Sequence, residues 1–161
     1  MLKVEKLFRA SEHNFSVTAF HEKCDNKEDT LVLVRTEFGK NIGGYTHNPW
    51  KSVTGDGEWV CDSGRKAFLF SLDMGEKFVP QGDERSIFRH SDFGPVFGSG
   101  DISISDCCNS NSKSCARFPC TFNRAGGNKL ERKEDTWRMF SGTDAKLFKV
   151  EEYEVFRLFY Q

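Results

Sequence analysis

Apolar residues in this chain come in short runs, and the longest, LVLV at 31–34 and AFLF at 67–70, have four residues each. Runs of this length suit buried strands and are far too short to cross a bilayer. Turn-forming residues separate them: EFGKN follows the first run, and the Pro- and Gly-containing loop HNPWKSVTGDGEW (47–59) comes soon after. Many short strands with turn signals between them predict a mainly β fold, an antiparallel β-sandwich of two sheets with flanking helices.

The positions of individual elements follow from the same patterns. One helix is predicted over 11–24, with Ser11 as N-cap and an apolar stripe formed by Phe15, Ala19, Phe20 and Cys24. The segment 42–46 is predicted to pair with 30–36 as a hairpin, because a Gly-bearing turn joins them. The remaining strands are predicted at 66–73, 85–90, 101–105 and 150–160.

The size and charge of the chain limit the number of domains and the classes of partner that can be expected. Its 161 residues suit a single domain, 1–161, with a core of its own. Lys and Arg number 23 and Asp and Glu 24, without a long block of either sign, so nucleic acid is not an expected partner. The first ten residues contain no apolar segment typical of a signal peptide, and membrane insertion is not expected.

The chain is rich in cysteine. Six residues form the set, and four of them lie within fourteen positions: Cys24, Cys61, Cys107, Cys108, Cys115 and Cys120. An even number in a small domain is typical of a disulfide framework in an oxidising compartment, so all six are disulfide candidates and an extracellular location is expected. Neighbouring Cys107 and Cys108 need different partners, one of which could be a second chain. The alternative is a cytoplasmic protein with free thiols.

Five segments resemble the TLDc domain family, in family order from about Leu7 to Phe159. They are LFRASEHNFSVTAFHEKCDN, TLVLVRTEFGKNIGGYTHNPW, AFLFSLD, FGPVFGSGDISISDCCNSNS and VEEYEVFRL. The resemblance implies a β-sandwich with flanking helices and a family without an established catalytic mechanism. It also implies a role like that of the intracellular members, which are associated with oxidative-stress resistance and with binding the vacuolar proton-pumping ATPase.

Two features differ from the usual members of that family. The LysM, Rab-GAP-like and BTB modules that often accompany the domain do not occur in this chain, and the cysteines are more numerous than in cytosolic members. Small secreted proteins of similar size, including galactose-binding lectins of the sea-anemone type, are the second group that the chain resembles.

The segment GSGDISISDCCNSNSKSC (98–115) collects oxygen ligands on a loop that leaves a strand. Asp101, Asp106, Asn109 and Asn111 offer carboxylate and amide oxygens, which are the ligands of Ca²⁺, and a sugar with vicinal hydroxyls could complete the coordination. The alternative is that Asp106 and Asn109 bond the backbone of the loop itself in Asx turns.

Aromatic residues could bind a sugar ring. Tyr45, His47 and Trp50 lie together in GGYTHNPW, while Trp59 and Trp137 could stack on the apolar face of galactose, with Asn109 as a polar ligand. The alternative is that Tyr45 and Trp50 close the end of the sandwich. The two glycines of GGYTHNPW would allow a backbone or a ligand to approach closely.

Catalysis is not expected. HEKCD (21–25) differs from the zinc-protease motif H-E-x-x-H at its last position, and His21 is expected to pack at the edge of the helix. The sequence therefore predicts a calcium-assisted lectin for terminal galactose, acting as a homodimer. The alternative is an intracellular TLDc protein that binds the vacuolar ATPase.

Overall fold

A computed structural model describes residues 1–82 and 85–161. The helices in this part are α1 (Val17–Cys24) and α2 (Glu134–Phe140), and a 3-10 helix covers Ala10–His13. The strands are β1 (Leu2–Arg9), β2 (Thr30–Thr36), β3 (Asn41–Thr46), β4 (Glu58–Cys61), β5 (Phe68–Ser71), β6 (Glu76–Pro80), β7 (Arg85–Arg89), β8 (Phe93–Phe97), β9 (Ile102–Ser105), β10 (Ser114–Cys115), β11 (Phe122–Asn123), β12 (Leu147–Phe148) and β13 (Val150–Tyr160).

The strands form two antiparallel sheets, as the sequence predicts. Seven strands form the first sheet, in the order β1-β13-β2-β3-β5-β6-β11, and six form the second, in the order β12-β10-β9-β8-β7-β4. Strand β13 lies between β1 and β2, which explains why apolar residues occur on both of its faces. The predicted hairpin is confirmed: Thr30 of β2 pairs with Thr46 of β3.

Aromatic side chains fill much of the core. Phe20 of α1 contacts Phe8, Trp50 and Tyr153, and the centroids of the Phe20 and Trp50 rings are 5.7 Å apart. A second cluster stacks Phe118 on Phe140, with ring centroids 4.2 Å apart. Such rings bury a large apolar area each, which lets a chain of modest hydrophobic content form a stable core.

The predicted helix over 11–24 is wrong at its start. Asn14 and Phe15 have φ values of 53° and 54°, a left-handed conformation that ends the 3-10 helix and prevents a continuous α-helix. The true N-cap is Ser16, whose hydroxyl oxygen accepts a hydrogen bond from the backbone N–H of Ala19 at 3.2 Å. The predicted burial of Phe20 and Cys24 and the packing of His21 are confirmed.

A bidentate ion pair joins Glu76 of β6 to Arg124, the residue after β11. Nε and Nη2 of Arg124 donate hydrogen bonds to the two carboxylate oxygens at 2.7 and 2.6 Å. These bonds lower the pKa of Glu76 below its ordinary value, against an opposing effect of burial.

This ion pair predicts an acid-dependent loss of stability. Because the pKa of Glu76 is lower in the folded state, the pair stabilises the fold above the ordinary pKa of a glutamate, and this contribution is lost as the pH falls through the lowered value. Urea denaturation of the wild type and of Glu76→Gln, from about pH 7 to about pH 3, measures it. We expect the difference between the two unfolding free energies to shrink towards the acid end. A difference that stays constant over this range would contradict the prediction.

Candidate functional site

Asp101 lies in the interior. Its side chain is 0% exposed, and its carboxylate accepts hydrogen bonds from the backbone N–H groups of Cys120, Thr121 and Phe122 at 2.8 to 3.1 Å. Burial raises the pKa of Asp101, and the three amide groups oppose that rise. Both carboxylate oxygens thus serve as acceptors for the segment that leads into β11, so a calcium ion would have to compete with these amides.

The other predicted oxygen ligands lie in the loop after β9. Asp106 Oδ1 accepts a hydrogen bond from Val17 N at 2.8 Å, at the start of α1. The Asn111 amide donates to the carbonyl oxygens of Asp106 and Cys107 at 2.9 and 3.0 Å, while Asn109 is exposed. Asp106 thus bonds the start of α1, and the loop backbone is bonded by Asn111. This differs from the alternative interpretation, which expects Asp106 and Asn109 to bond their own loop in Asx turns. Across residues 1–82 and 85–161, no group of three or more His, Cys, Asp and Glu side chains is placed to hold a metal ion.

All six cysteines lie in the described part of the chain, and all are free thiols. The expected disulfide framework is therefore not found in this structure. Cys24 and Cys108 are buried, and burial raises the pKa of both thiols, that of Cys108 to about 12. These two act as small apolar core residues. Cys115 is half-buried, and Cys61, Cys107 and Cys120 are exposed.

The predicted aromatic cluster divides between the core and the surface. Trp50 is only 1% exposed, and its indole N–H donates to Thr30 Oγ1 at 2.9 Å, so its ring lies out of reach of a ligand. Tyr45 donates its hydroxyl hydrogen to Asp29 Oδ1 at 2.7 Å, and His47 Nδ1 lies 2.7 Å from the same oxygen. Burial alone would raise the pKa of Asp29, but these two hydrogen bonds lower it below its ordinary value.

Trp137 lies elsewhere, on α2. The ring is half-buried, Lys146 Nζ lies 5.0 Å from its centroid, and its indole N–H has no hydrogen-bond partner among the described residues. Among the described residues, no hydrogen bond or ring contact joins Trp137 to Tyr45 or His47.

His21 belongs to a hydrogen-bonded cluster that fixes α1. Its Nδ1 lies 2.7 Å from Asp25 Oδ1, and its Nε2 lies 2.9 Å from the carbonyl oxygen of Phe93. Asp25 Oδ2 in turn accepts hydrogen bonds from the backbone N–H and the hydroxyl of Ser52, at 2.9 and 2.7 Å. The Ser52 hydroxyl is bonded to the carboxylate rather than to the imidazole, so this is not the geometry of an activated nucleophile.

A feature that sequence reasoning missed lies on the outer face of the six-stranded sheet. The strand register aligns one side chain from each of the six strands in a row. Ile87 of β7 pairs with Phe97 of β8, which places their neighbours Phe88 and Val96 side by side on the opposite face. In strand order the row is Leu147, Cys115, Ser103, Val96, Phe88 and Trp59.

This row forms the floor of an open groove of about 380 Å³, which we call the outer groove. Trp59 is 43% exposed and Leu147 is 54% exposed, and Phe93, 39% exposed, lies beside them. Apolar side chains of this size are partly in water here, although alternate residues of the same strands, such as Ile87 and Phe97, are fully buried on the core side. Scattered exposed apolar residues are ordinary, whereas an aligned set is a candidate interaction surface.

The charge of the outer groove is positive. Lys113 and Arg117 lie on either side of β10 and line the groove, and both are exposed. No carboxylate of the described residues lies within 4.0 Å of either cation, and none of the described residues that line the groove is acidic. At the far end of the row, the Arg85 guanidinium lies 5.2 Å from the centroid of the Trp59 ring. The groove thus combines exposed rings with the positive charge of Lys113 and Arg117 and can bind an apolar, negatively charged segment.

The comparisons with known proteins agree with the fold. The family model for the TLDc domain matches residues 1–159. A comparison with curated proteins gives no match. The chain therefore belongs to the TLDc family. In the described part of the chain, no helix is long and apolar enough to span a membrane.

Proposed function

We propose that this protein is a non-catalytic recognition module that binds a protein partner through the outer groove. The observation that carries the proposal is the row of side chains across all six strands, with exposed rings at one end and the exposed cations Lys113 and Arg117 near the other. Rings that stay partly in water in the free protein gain from being covered, and aromatic and Arg side chains supply much of the energy in protein interfaces. The described residues that line the groove include no His, Asp or Glu.

The partner we propose is the vacuolar proton-pumping ATPase, with the cytoplasm as the compartment. Intracellular TLDc proteins are associated with this enzyme and with oxidative-stress resistance, and this chain belongs to that family. The six free thiols support the same compartment, because cytosolic conditions keep thiols reduced.

The test is co-sedimentation of the purified protein with membranes that carry the assembled vacuolar ATPase. We expect saturable binding that membranes stripped of the soluble sector of the ATPase do not show. Equal binding to both kinds of membrane would overturn the proposed partner.

A second candidate function is supported by one observation. The exposed Trp59 ring and the Ser103 hydroxyl line the same groove, and this combination suits the apolar face and the hydroxyls of a galactose unit. In this case the protein is an extracellular lectin. Of the neighbouring cysteines Cys107 and Cys108, Cys107 is exposed and Cys108 is buried, so Cys107 is the one of the two that can join two copies. Retention on a lactose column with calcium tests it: release by EDTA would support the calcium-assisted lectin, and flow-through would count against galactose binding.

A further inference from the structure

We infer that the outer groove recognises an extended acidic segment in which a large apolar side chain lies four to six residues from a pair of carboxylates. The inference deepens the proposed function, on which it rests in taking a protein as the occupant. It follows from three properties of the groove: the direction of the row, the spacing of its two ends and its charge.

The row runs across the strands, so a segment bound along it contacts side chains rather than an open sheet edge. The Lys113 and Arg117 end lies at β10, while Phe88 and Trp59 lie on β7 and β4. Neighbouring strands are about 4.8 Å apart, so Cys115 is roughly 14 Å from Phe88 and roughly 19 Å from Trp59 along the row. An extended chain advances about 3.4 Å per residue, so about four residues reach Phe88 and about six reach Trp59.

The two ends of the groove are complementary to different side chains of the bound segment. Phe88 and Trp59 pack against each other with ring centroids 4.6 Å apart, and Trp59 still has much of its surface in water, so a third ring or a Leu or Met side chain can cover it. Among the described residues, neither Lys113 nor Arg117 forms an ion pair with a carboxylate. The Arg117 guanidinium hydrogen-bonds the weak acceptor Cys115. Carboxylates complement these cations, whereas a cationic segment would be repelled.

Between the two ends, the floor of the groove exposes little side-chain surface. Val96 is almost fully buried and Ser103 is half-buried, so little of their surface is accessible to a bulky side chain of the bound segment. Small residues therefore suit the middle of the bound segment. The expected pattern is two acidic residues, three or four small residues, and then a large apolar residue.

The experiment uses an acetylated hexapeptide that begins with Asp-Glu, continues with Gly-Ser-Gly and ends with Phe. Binding to the full chain is followed by the fluorescence of the three tryptophans. A peptide with Asn-Gln in place of Asp-Glu removes the charge, and a reordered peptide with Phe next to the acidic pair removes the spacing. We expect each control peptide to bind at least about tenfold more weakly than the first.

Variants of the protein test the same residues. The double variant Lys113→Glu, Arg117→Glu is expected to weaken peptide binding at least about tenfold, and the matched double variant Lys3→Glu, Lys51→Glu, outside the groove, is expected to leave it unchanged. Thermal denaturation of both variants establishes that they are folded. Equal binding by the two double variants, equal binding of the charged and uncharged peptides, or displacement of the peptide by lactose would overturn the inference.

Failure of the inferred peptide specificity and failure of the proposed function give different results. Peptide binding by a protein that does not bind the vacuolar ATPase would remove the proposed partner and leave the inferred specificity in place. Undiminished ATPase binding by the Lys113→Glu, Arg117→Glu variant would keep the partner and overturn the role of the groove.

Discussion

Replacement of Asp101 by Asn is expected to lower the free energy of unfolding by about 3 kcal/mol. The carboxylate is fully buried and accepts hydrogen bonds from the N–H groups of Cys120, Thr121 and Phe122. Asn has nearly the same shape, but one of its oxygens becomes an NH₂ donor that faces other donors, so buried N–H groups lose their acceptor. Chemical denaturation of the wild type and the variant measures the difference.

Asp106→Asn is the matched control. Asp106 is exposed and accepts one N–H, that of Val17, so we expect its loss to cost about 1 kcal/mol or less. The same measurements with calcium and with EDTA separate the internal role of Asp101 from a role as a metal ligand. A calcium-dependent gain in stability of the wild type that Asp101→Asn abolishes would contradict the internal role.

The second large effect is expected for Gly43→Ala, in the segment GGYTHNPW. Gly43 lies in β3, between β2 and β5, and a Cβ there would overlap the carbonyl oxygen of Val32 and lie 2.5 Å from Cζ of Phe70. Backbone atoms inside a sheet have little freedom to move, so we expect a loss of about 3 kcal/mol in unfolding free energy. Denaturation by urea measures it.

Gly127→Ala is the control for this position. A Cβ at Gly127 would have no heavy atom within 4 Å, so its unfolding free energy should stay within about 0.5 kcal/mol of the wild type. A Gly43→Ala protein as stable as this control would show that the sheet can adjust. The sequence predicts that the two glycines allow a backbone or a ligand to approach closely. At Gly43 the close groups belong to this chain: the Val32 carbonyl oxygen and the Phe70 ring occupy the space of a Cβ.

The parts of the fold that the sequence predicts are those with a local signal. The hairpin of β2 and β3 is predicted because β-branched residues and a Gly-bearing turn lie next to each other in the chain. Strand β1 has a weaker signal, because apolar and polar residues alternate only over its first four residues, LKVE. Most of its side chains are exposed in the structure. Strand β8 carries Gly94 and Pro95 and is interrupted by an irregularity between Phe93 and Val96, features that usually count against a strand.

The outer groove could not be predicted from the sequence, because it has no local signal. Trp59 could be recognised as a ring available for a ligand, but its neighbours in the row come from five other strands, over a span from Phe88 to Leu147. Only the register of the whole sheet brings them together. The oxygen-rich segment 98–115 shows the converse: its Asp and Asn residues are recognised as strong acceptors, but which backbone amides they bond depends on how distant segments pack.

Binding of the vacuolar ATPase by the Lys113→Glu, Arg117→Glu variant is the measurement that tests the central claim most directly. The dissociation constants of the wild type, this variant and the Lys3→Glu, Lys51→Glu control are compared by co-sedimentation with the assembled enzyme. Binding through the outer groove predicts a Kd at least about tenfold higher for the groove variant and an unchanged Kd for the control. The same Kd for all three proteins would contradict it.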